Sequence, residues 1–127
     1  MKLNHDCIRT LLFQLEEKTS FSSSFEYDIN DDYPELNDYS AEEIQYHIQQ
    51  MYMSNLCTKP LFHSDGFEVM DLTPEGHKFL AEIRSDTHWN RIKDISKQAS
   101  IWTLDGFKQI ATQVAVSAIN QIINPLQ

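Results

Sequence analysis

The segment from Tyr39 to Leu80 limits the possible folds more than any other part of the chain. Ser40 followed by Glu43 is a capping-box pattern, in which each side chain bonds a backbone N–H at the start of a helix. Asn55 is suited to the left-handed conformation that ends a helix. Between them, apolar residues recur near the helical period at Ile44, Ile48, Met51 and Leu56. We therefore predict a helix that begins after Ser40 and ends near Asn55.

The second half of this segment has the pattern of a two-stranded ribbon followed by another helix. Apolar runs at residues 56–62 and 67–72 flank a polar turn, in which Asp65 and Gly66 are expected to supply the positive φ angles of a tight hairpin. Thr73 then precedes Pro74, which is favoured at the first position of a helix. Helix, ribbon and helix in this order predict a winged helix-turn-helix core.

The residues before this segment predict one helix and one strand. Asp6 is expected to cap a helix that runs to about Lys18. Residues 25–29 alternate apolar and acidic side chains, as a half-buried strand does, and would pair with the ribbon as its third strand. Residues 30–38 contain Pro34 and are expected to hold one helical turn. The overall prediction is a mostly α fold with a small β-ribbon.

The residues after the segment predict further helices. A break at Ser85 separates the helix that starts at Pro74 from one that runs to about Gln98. We therefore divide the chain into a winged-helix-like domain at residues 1–84 and a helical extension at residues 85–127, which packs on that domain or dimerises.

The longest predicted helix spans Thr103 to Asn124 and has a seam of the coiled-coil kind. Polar residues interrupt it too often for a membrane span, so we expect no membrane association. A helix this apolar needs a partner surface, which is either its own core or a second copy, and we favour a homodimer. The predicted dimerisation residues are Leu104, Phe107, Ala111, Val114 and Ala118.

Negative charge is concentrated in one part of the chain. The net charge is −9, and neither Lys nor Arg occurs between Lys18 and Lys59. A dense acidic surface repels nucleic acid and attracts basic protein surfaces. We therefore predict an acidic partner-binding face formed by Asp28, Asp31, Asp32, Glu35, Asp38, Glu42 and Glu43.

The sequence offers no sign of catalysis or of a cofactor. Cys7 and Cys57 stand in apolar surroundings with no metal-ligand spacing, and are expected to be buried, reduced thiols of a cytoplasmic protein. The histidines are scattered, and His47 is expected to be a half-buried packing residue. With only three glycines there is no Gly-rich phosphate loop. We expect a protein that is not an enzyme and that binds neither a metal nor a cofactor.

Several motifs resemble a family of short bacterial and prophage proteins that is defined only as a domain of unknown function. They are residues 1–4, 6–9, 15–17, 39–44, 46–48, 71–80, 83–86 and Trp89. At Asn55 the family more often has Gly, although Asn also adopts the left-handed conformation. The resemblance implies a winged-helix-like fold and a gene neighbourhood typical of phages, and it supplies no known activity.

Three functions remain open at this stage. The first is a protein-interaction module of a phage or prophage that uses the acidic face or the C-terminal helix. The second is an inhibitor that imitates DNA to occupy a basic groove on a nucleic-acid enzyme. The third is a dimeric DNA-binding regulator, with Gln45, Tyr46, Gln49 and Gln50 as the recognition-helix face. The regulator would also need a separate basic face formed by Arg84, Arg91, Lys93 and Lys97.

Overall fold

The computed structural model describes residues 1–126, and the predicted mixture of helices with a small β-ribbon is confirmed. The chain divides into two compact units, Met1–His77 and a second unit that begins at Lys78. The division falls inside a helix, seven residues before the boundary predicted after residue 84. In order, the elements are α1 (His5–Lys18), β1 (Phe25–Asp28), a 3₁₀ turn (Pro34–Leu36), α2 (Ala41–Met53), β2 (Leu61–His63), β3 (Gly66–Val69), α3 (Pro74–Ile83), α4 (Asp86–Ala99) and α5 (Leu104–Ile123).

The predicted capping box of α2 is confirmed. The Ser40 hydroxyl accepts from the Glu43 N–H at 3.1 Å, and the Glu43 carboxylate accepts from the Ser40 N–H at 3.1 Å. Asn55 lies just past the helix with φ of 62°, as predicted. The prediction for α1 was wrong by two residues, because its cap is Asn4, whose side chain accepts from the Cys7 N–H.

The three strands form an antiparallel sheet in the order β1-β3-β2. The ribbon is shorter than the apolar runs, because Pro60 lacks the N–H that a continuous ladder needs. On the N-terminal side of Pro60 the two segments pair again, where Cys57 forms an isolated antiparallel β-bridge with Leu72.

The hairpin turn differs from the prediction. Gly66 has φ of 155°, whereas Asp65 does not have a positive φ. A side chain at Gly66 would collide with the backbone carbonyl of Tyr27, with a Cβ at 1.8 Å from that oxygen. Glycine is therefore required at this position because β1 passes so closely.

The core of the first unit lies where α1 and α2 pack together and α1 covers the sheet. Its buried side chains include Leu11, Ile48, Met51 and Phe67. In the second unit, α4 packs against α5, and the Trp89 ring lies 5.8 Å from the Phe107 ring. Ser85 and Thr103 are the N-caps of these two helices, so the predicted break at Ser85 is confirmed.

Candidate functional site

The predicted acidic face occupies one continuous stretch, residues 28–43, which we call the acidic segment. It starts at the last residue of β1, passes through the 3₁₀ turn and ends in the first turn of α2. The exposed acids of the segment are Asp31, Asp32, Glu35, Asp38 and Glu42, while Asp28 and Glu43 are partly buried. Exposure of five carboxylates in so short a stretch gives this side of the unit a strong negative potential.

Tyr33 holds the acidic segment against the sheet. Its hydroxyl accepts a hydrogen bond from the Asp28 N–H at 2.8 Å and donates one to the Glu26 carbonyl at 3.2 Å. Its ring lies 5.0 Å from the ring of Tyr27, between the ring centroids. Leu36, only 2% exposed, buries the 3₁₀ turn a few residues later. The loop is thus fixed at two points, and its carboxylates are held in solvent.

Two of the seven predicted contact residues have structural roles instead. The Asp28 carboxylate accepts from both the backbone N–H and the side-chain amide of Asn30, at 2.8 and 3.1 Å. Glu43 closes the capping box of α2. A change at either residue would therefore disturb the local fold, so the five exposed acids are the better candidates for contact with a partner.

Strand pairing and helix packing add acids that the sequence-based prediction missed. Glu26 on β1 lies directly opposite Glu68 on β3, and the Ser24 hydroxyl donates to the Glu68 carboxylate at 2.7 Å. Alternation along each strand places both glutamates on one face of the sheet, but the sequence does not reveal the register that makes them neighbours.

A third missed acid is Asp6 on α1. Burial raises the pKa of Tyr39, and the nearby charges of Asp6 and Asp38 raise that pKa further, whereas a hydrogen bond with Thr10 lowers it. Asp6 therefore contributes to the negative potential around the acidic segment. Its position next to Tyr39 depends on the packing of α1, which no local pattern encodes.

The predicted recognition-helix face on α2 is not a set of freely projecting side chains. Gln45, Tyr46, Gln49 and Gln50 are all half-buried. The Gln45 amide donates to the Ala41 carbonyl of its own helix at 3.2 Å, and the Tyr46 ring stands edge-on to the His47 ring. The helix has neither Lys nor Arg to neutralise phosphate.

The three basic residues of α4 do not share one face, because Lys93 and Lys97, four residues apart, lie on one side and Arg91 does not. Arg91 and Lys93 are two residues apart and therefore lie on nearly opposite sides of the helix. The Lys93 ammonium lies 5.7 Å from the centre of the Trp89 ring. Arg84 lies outside α4, between it and α3. This arrangement does not supply the continuous basic surface that a DNA-binding regulator would need.

The buried thiols and histidine are packed inside the first unit. Burial raises the pKa of both Cys7 and Cys57 to about 12, and the charge of Glu43 contributes at Cys7, so neither is a ready nucleophile. His47, predicted to be half-buried, is fully buried. Within residues 1–126, no group of three His, Cys, Asp or Glu side chains is arranged to hold a metal ion. In the same range, none of the helices has the length and apolar character needed to cross a bilayer.

The predicted dimer seam of α5 is corrected by the structure. Four of its five residues are buried within the chain: Leu104, Phe107, Ala111 and Val114. Ala118 is partly buried. The regular spacing of the seam therefore reflects packing within one chain, and these four residues are not available to a second copy.

Removal of the Tyr33 hydroxyl tests how firmly the acidic segment is held. Tyr33→Phe keeps the ring but leaves the Asp28 N–H and the Glu26 carbonyl without this partner, so we expect a loss of about 1–2 kcal/mol in the free energy of unfolding. Urea denaturation measures that loss, and amide exchange should accelerate at residues 31–38. Tyr52→Phe, at an exposed tyrosine on α2, is the control. Equal effects of the two substitutions would contradict the role of Tyr33.

Comparison with known proteins places the chain in a family. Residues 2–102 match the model of the family described as "Hypothetical protein (DUF2513)". An uncharacterized protein of Haemophilus influenzae is 30% identical over 119 residues, which cover 90% of this chain and 95% of that protein. No solved structure matches. The resemblance noted in the sequence is thereby confirmed, and the chain belongs to the DUF2513 family.

Proposed function

We propose that this protein is a non-enzymatic interaction module, of phage or prophage type, that acts in the cytoplasm and binds a basic protein surface through the acidic segment. The observation that carries the proposal is the ordered loop of residues 28–43. Tyr33 and Leu36 fix it to the first unit while five carboxylates remain exposed. A loop that is already ordered loses little conformational entropy when a partner binds, and its charge speeds the encounter with a basic surface.

The order of elements in the first unit supports a winged-helix-like core for this module. A helix, a strand, a helical turn, a second helix and a ribbon follow one another, and the first strand pairs with the second strand of the ribbon. In such a core, α2 would be the element that enters a DNA groove. Here its first turn carries Glu42 and Glu43, and the loop before it adds further acids. Repulsion from phosphate disfavours that use and favours a positively charged protein.

Charge reversal in the acidic segment tests the proposal. Asp32→Lys with Glu35→Lys should reduce capture of the partner from a bacterial host lysate by about tenfold, mainly by slowing association, and should flatten its salt dependence. The measurement is quantitative pull-down followed by association kinetics on the partner identified. Glu43 is left unchanged because its carboxylate caps α2.

The matched control carries the same charge change elsewhere. Glu17→Lys with Asp94→Lys reverses two exposed acids outside the acidic segment, and each pair of reversals adds four charges, from −9 to −5. Equal losses in the two double variants would contradict a specific acidic surface. Release of the partner by competing duplex DNA would identify it as a nucleic-acid-binding protein and support DNA mimicry.

The alternative is a dimeric DNA-binding regulator, which the element order of the first unit favours. An electrophoretic shift assay on duplex DNA across a range of salt separates the two functions. We expect no tight, salt-dependent complex with the unaltered protein. Tight binding to DNA that weakens steeply with salt would contradict the interaction module and support the regulator.

A further inference from the structure

The last part of α5 carries a second apolar stripe, distinct from the one that faces the core. The last buried residue of α5 in the described part of the chain is Val114. Beyond it, Val116, Ile119, Ile122 and Ile123 are 44%, 52%, 81% and 67% exposed. Val114 and Val116 are two residues apart and therefore point about 160° away from each other around the helix. Val116, Ile119 and Ile123 thus form a separate face, which we call the exposed stripe, whereas Ile122, four residues after Ala118, continues the side of the buried seam.

This part of α5 needs a covering surface to remain helical. Its β-branched residues lose side-chain freedom in a helix, and Ser117 and Asn120 also favour other conformations. A short helical segment without tertiary packing is marginal in water. The segment is nevertheless helical through Ile123. The large apolar side chains of this segment are exposed within the described chain, so a covering surface would stabilise the end of the helix.

Spacing and charge identify the kind of surface. Val116, Ile119 and Ile123 are separated by three and then four residues, which is the spacing of a helix that pairs with another helix. No charged side chain follows Lys108. A charged partner or an anionic membrane would find no complementary charge here. Two copies of a protein with net charge −9 would meet with least repulsion at this uncharged end.

We propose that a second copy of this chain covers the stripe, so that the two α5 helices pair through Val116, Ile119 and Ile123. This is a different interface from the Leu104 to Ala118 seam, most of which is buried, and it is independent of the acidic segment. The contact is short, so self-association is expected in the range of tens of micromolar, of the order of −6 kcal/mol.

Sedimentation of the full chain from about 5 to 500 μM tests this interface. The unaltered protein should pass from monomer to dimer, and its far-UV helical signal should rise with concentration as the end of α5 becomes covered. Ile119→Asp should weaken self-association by at least about tenfold, because the pair would bury an unpartnered charge.

Ser117→Asp is the matched control, since it introduces the same residue two positions away, on the polar side of the helix. It should leave the dimer intact. Thermal midpoints of both variants equal to that of the unaltered protein at about 5 μM, where all three are mostly monomeric, would show that neither substitution unfolds the chain. A strict monomer over the whole range would overturn the proposal. So would a dimer that resists Ile119→Asp, or one that both substitutions weaken equally. Adsorption of the monomer to phosphatidylcholine vesicles, with no self-association, would overturn it in favour of a lipid surface.

Discussion

Replacing Gly76 by alanine should destabilise the protein by about 3 kcal/mol or more, which is at the upper end of overpacking effects. Gly76 is buried in the first turn of α3, and an added Cβ would lie 1.9 Å from the carbonyl oxygen of Leu56. That carbonyl also accepts from the Thr73 N–H at 3.1 Å, just before the helix begins. The Leu56 carbonyl is backbone and is fixed by its hydrogen bond to Thr73, so it cannot move aside as a flexible side chain would. The start of α3 would therefore have to shift. Urea denaturation measures the loss.

Gly106 provides a closely matched control on α5. Each glycine lies three residues after a capping threonine and donates its N–H to that hydroxyl at 3.0 Å. A Cβ at Gly106 would instead meet side-chain atoms, namely the Cγ2 methyl of Ile101, which is 37% exposed, and the capping hydroxyl of Thr103 at 3.0 Å. Alanine also favours a helix by up to about 1 kcal/mol over glycine. Because side chains yield more easily than backbone, we expect Gly106→Ala to cost clearly less than Gly76→Ala, and an equal loss would contradict the backbone explanation.

Local patterns predicted most of the elements because they depend on residues close together in the chain. The capping box of Ser40 and Glu43 involves only four consecutive residues, and both of its predicted hydrogen bonds are present in the structure. The cap of α1 shows where such patterns stop being sufficient, since both Asn4 and Asp6 are good cap residues. The Asn4 N–H is bound by His47, 43 residues away in sequence, and this contact accompanies the start of the helix at His5.

The dimer seam illustrates a second limit of sequence patterns. Apolar residues spaced by threes and fours indicate that a helix face is buried, but they do not tell whether the covering surface belongs to the same chain. In α5 the more regular seam packs within the chain, and the shorter stripe around Ile119 is exposed. The two stripes became separable only when the burial of each residue was known.

The candidate site was partly visible in the sequence. A stretch without Lys or Arg was enough to find the acidic segment, because charge composition is independent of the fold. The anchoring role of Tyr33 depends on how the loop returns to β1, and the pairing of Glu26 opposite Glu68 depends on strand register. Both are tertiary relations, so a reading of local spacing could not supply them.

Loss of the His47 side chain should have an effect of similar size to that of Gly76→Ala. His47 is fully buried on α2, and its Nε2 accepts from the Asn4 N–H at 2.8 Å. The ring proton must then be on Nδ1, which lies 2.7 Å from the Glu43 carbonyl and donates to it. One imidazole thus ties the start of α1 to the first turn of α2.

His47→Phe would keep a ring at this position but remove both hydrogen bonds. The Asn4 N–H would lose its acceptor, and the Glu43 carbonyl would lose the donor on the imidazole. Each buried polar group left unsatisfied costs about 1–3 kcal/mol. We therefore expect a fall of about 3 kcal/mol in the free energy of unfolding, with faster amide exchange in the first turn of α1. His77→Phe, the same substitution at an exposed position, should change stability by less than about 0.5 kcal/mol. If the two variants were equally stable, the contact between His47 and Asn4 would not be what holds α1 to α2.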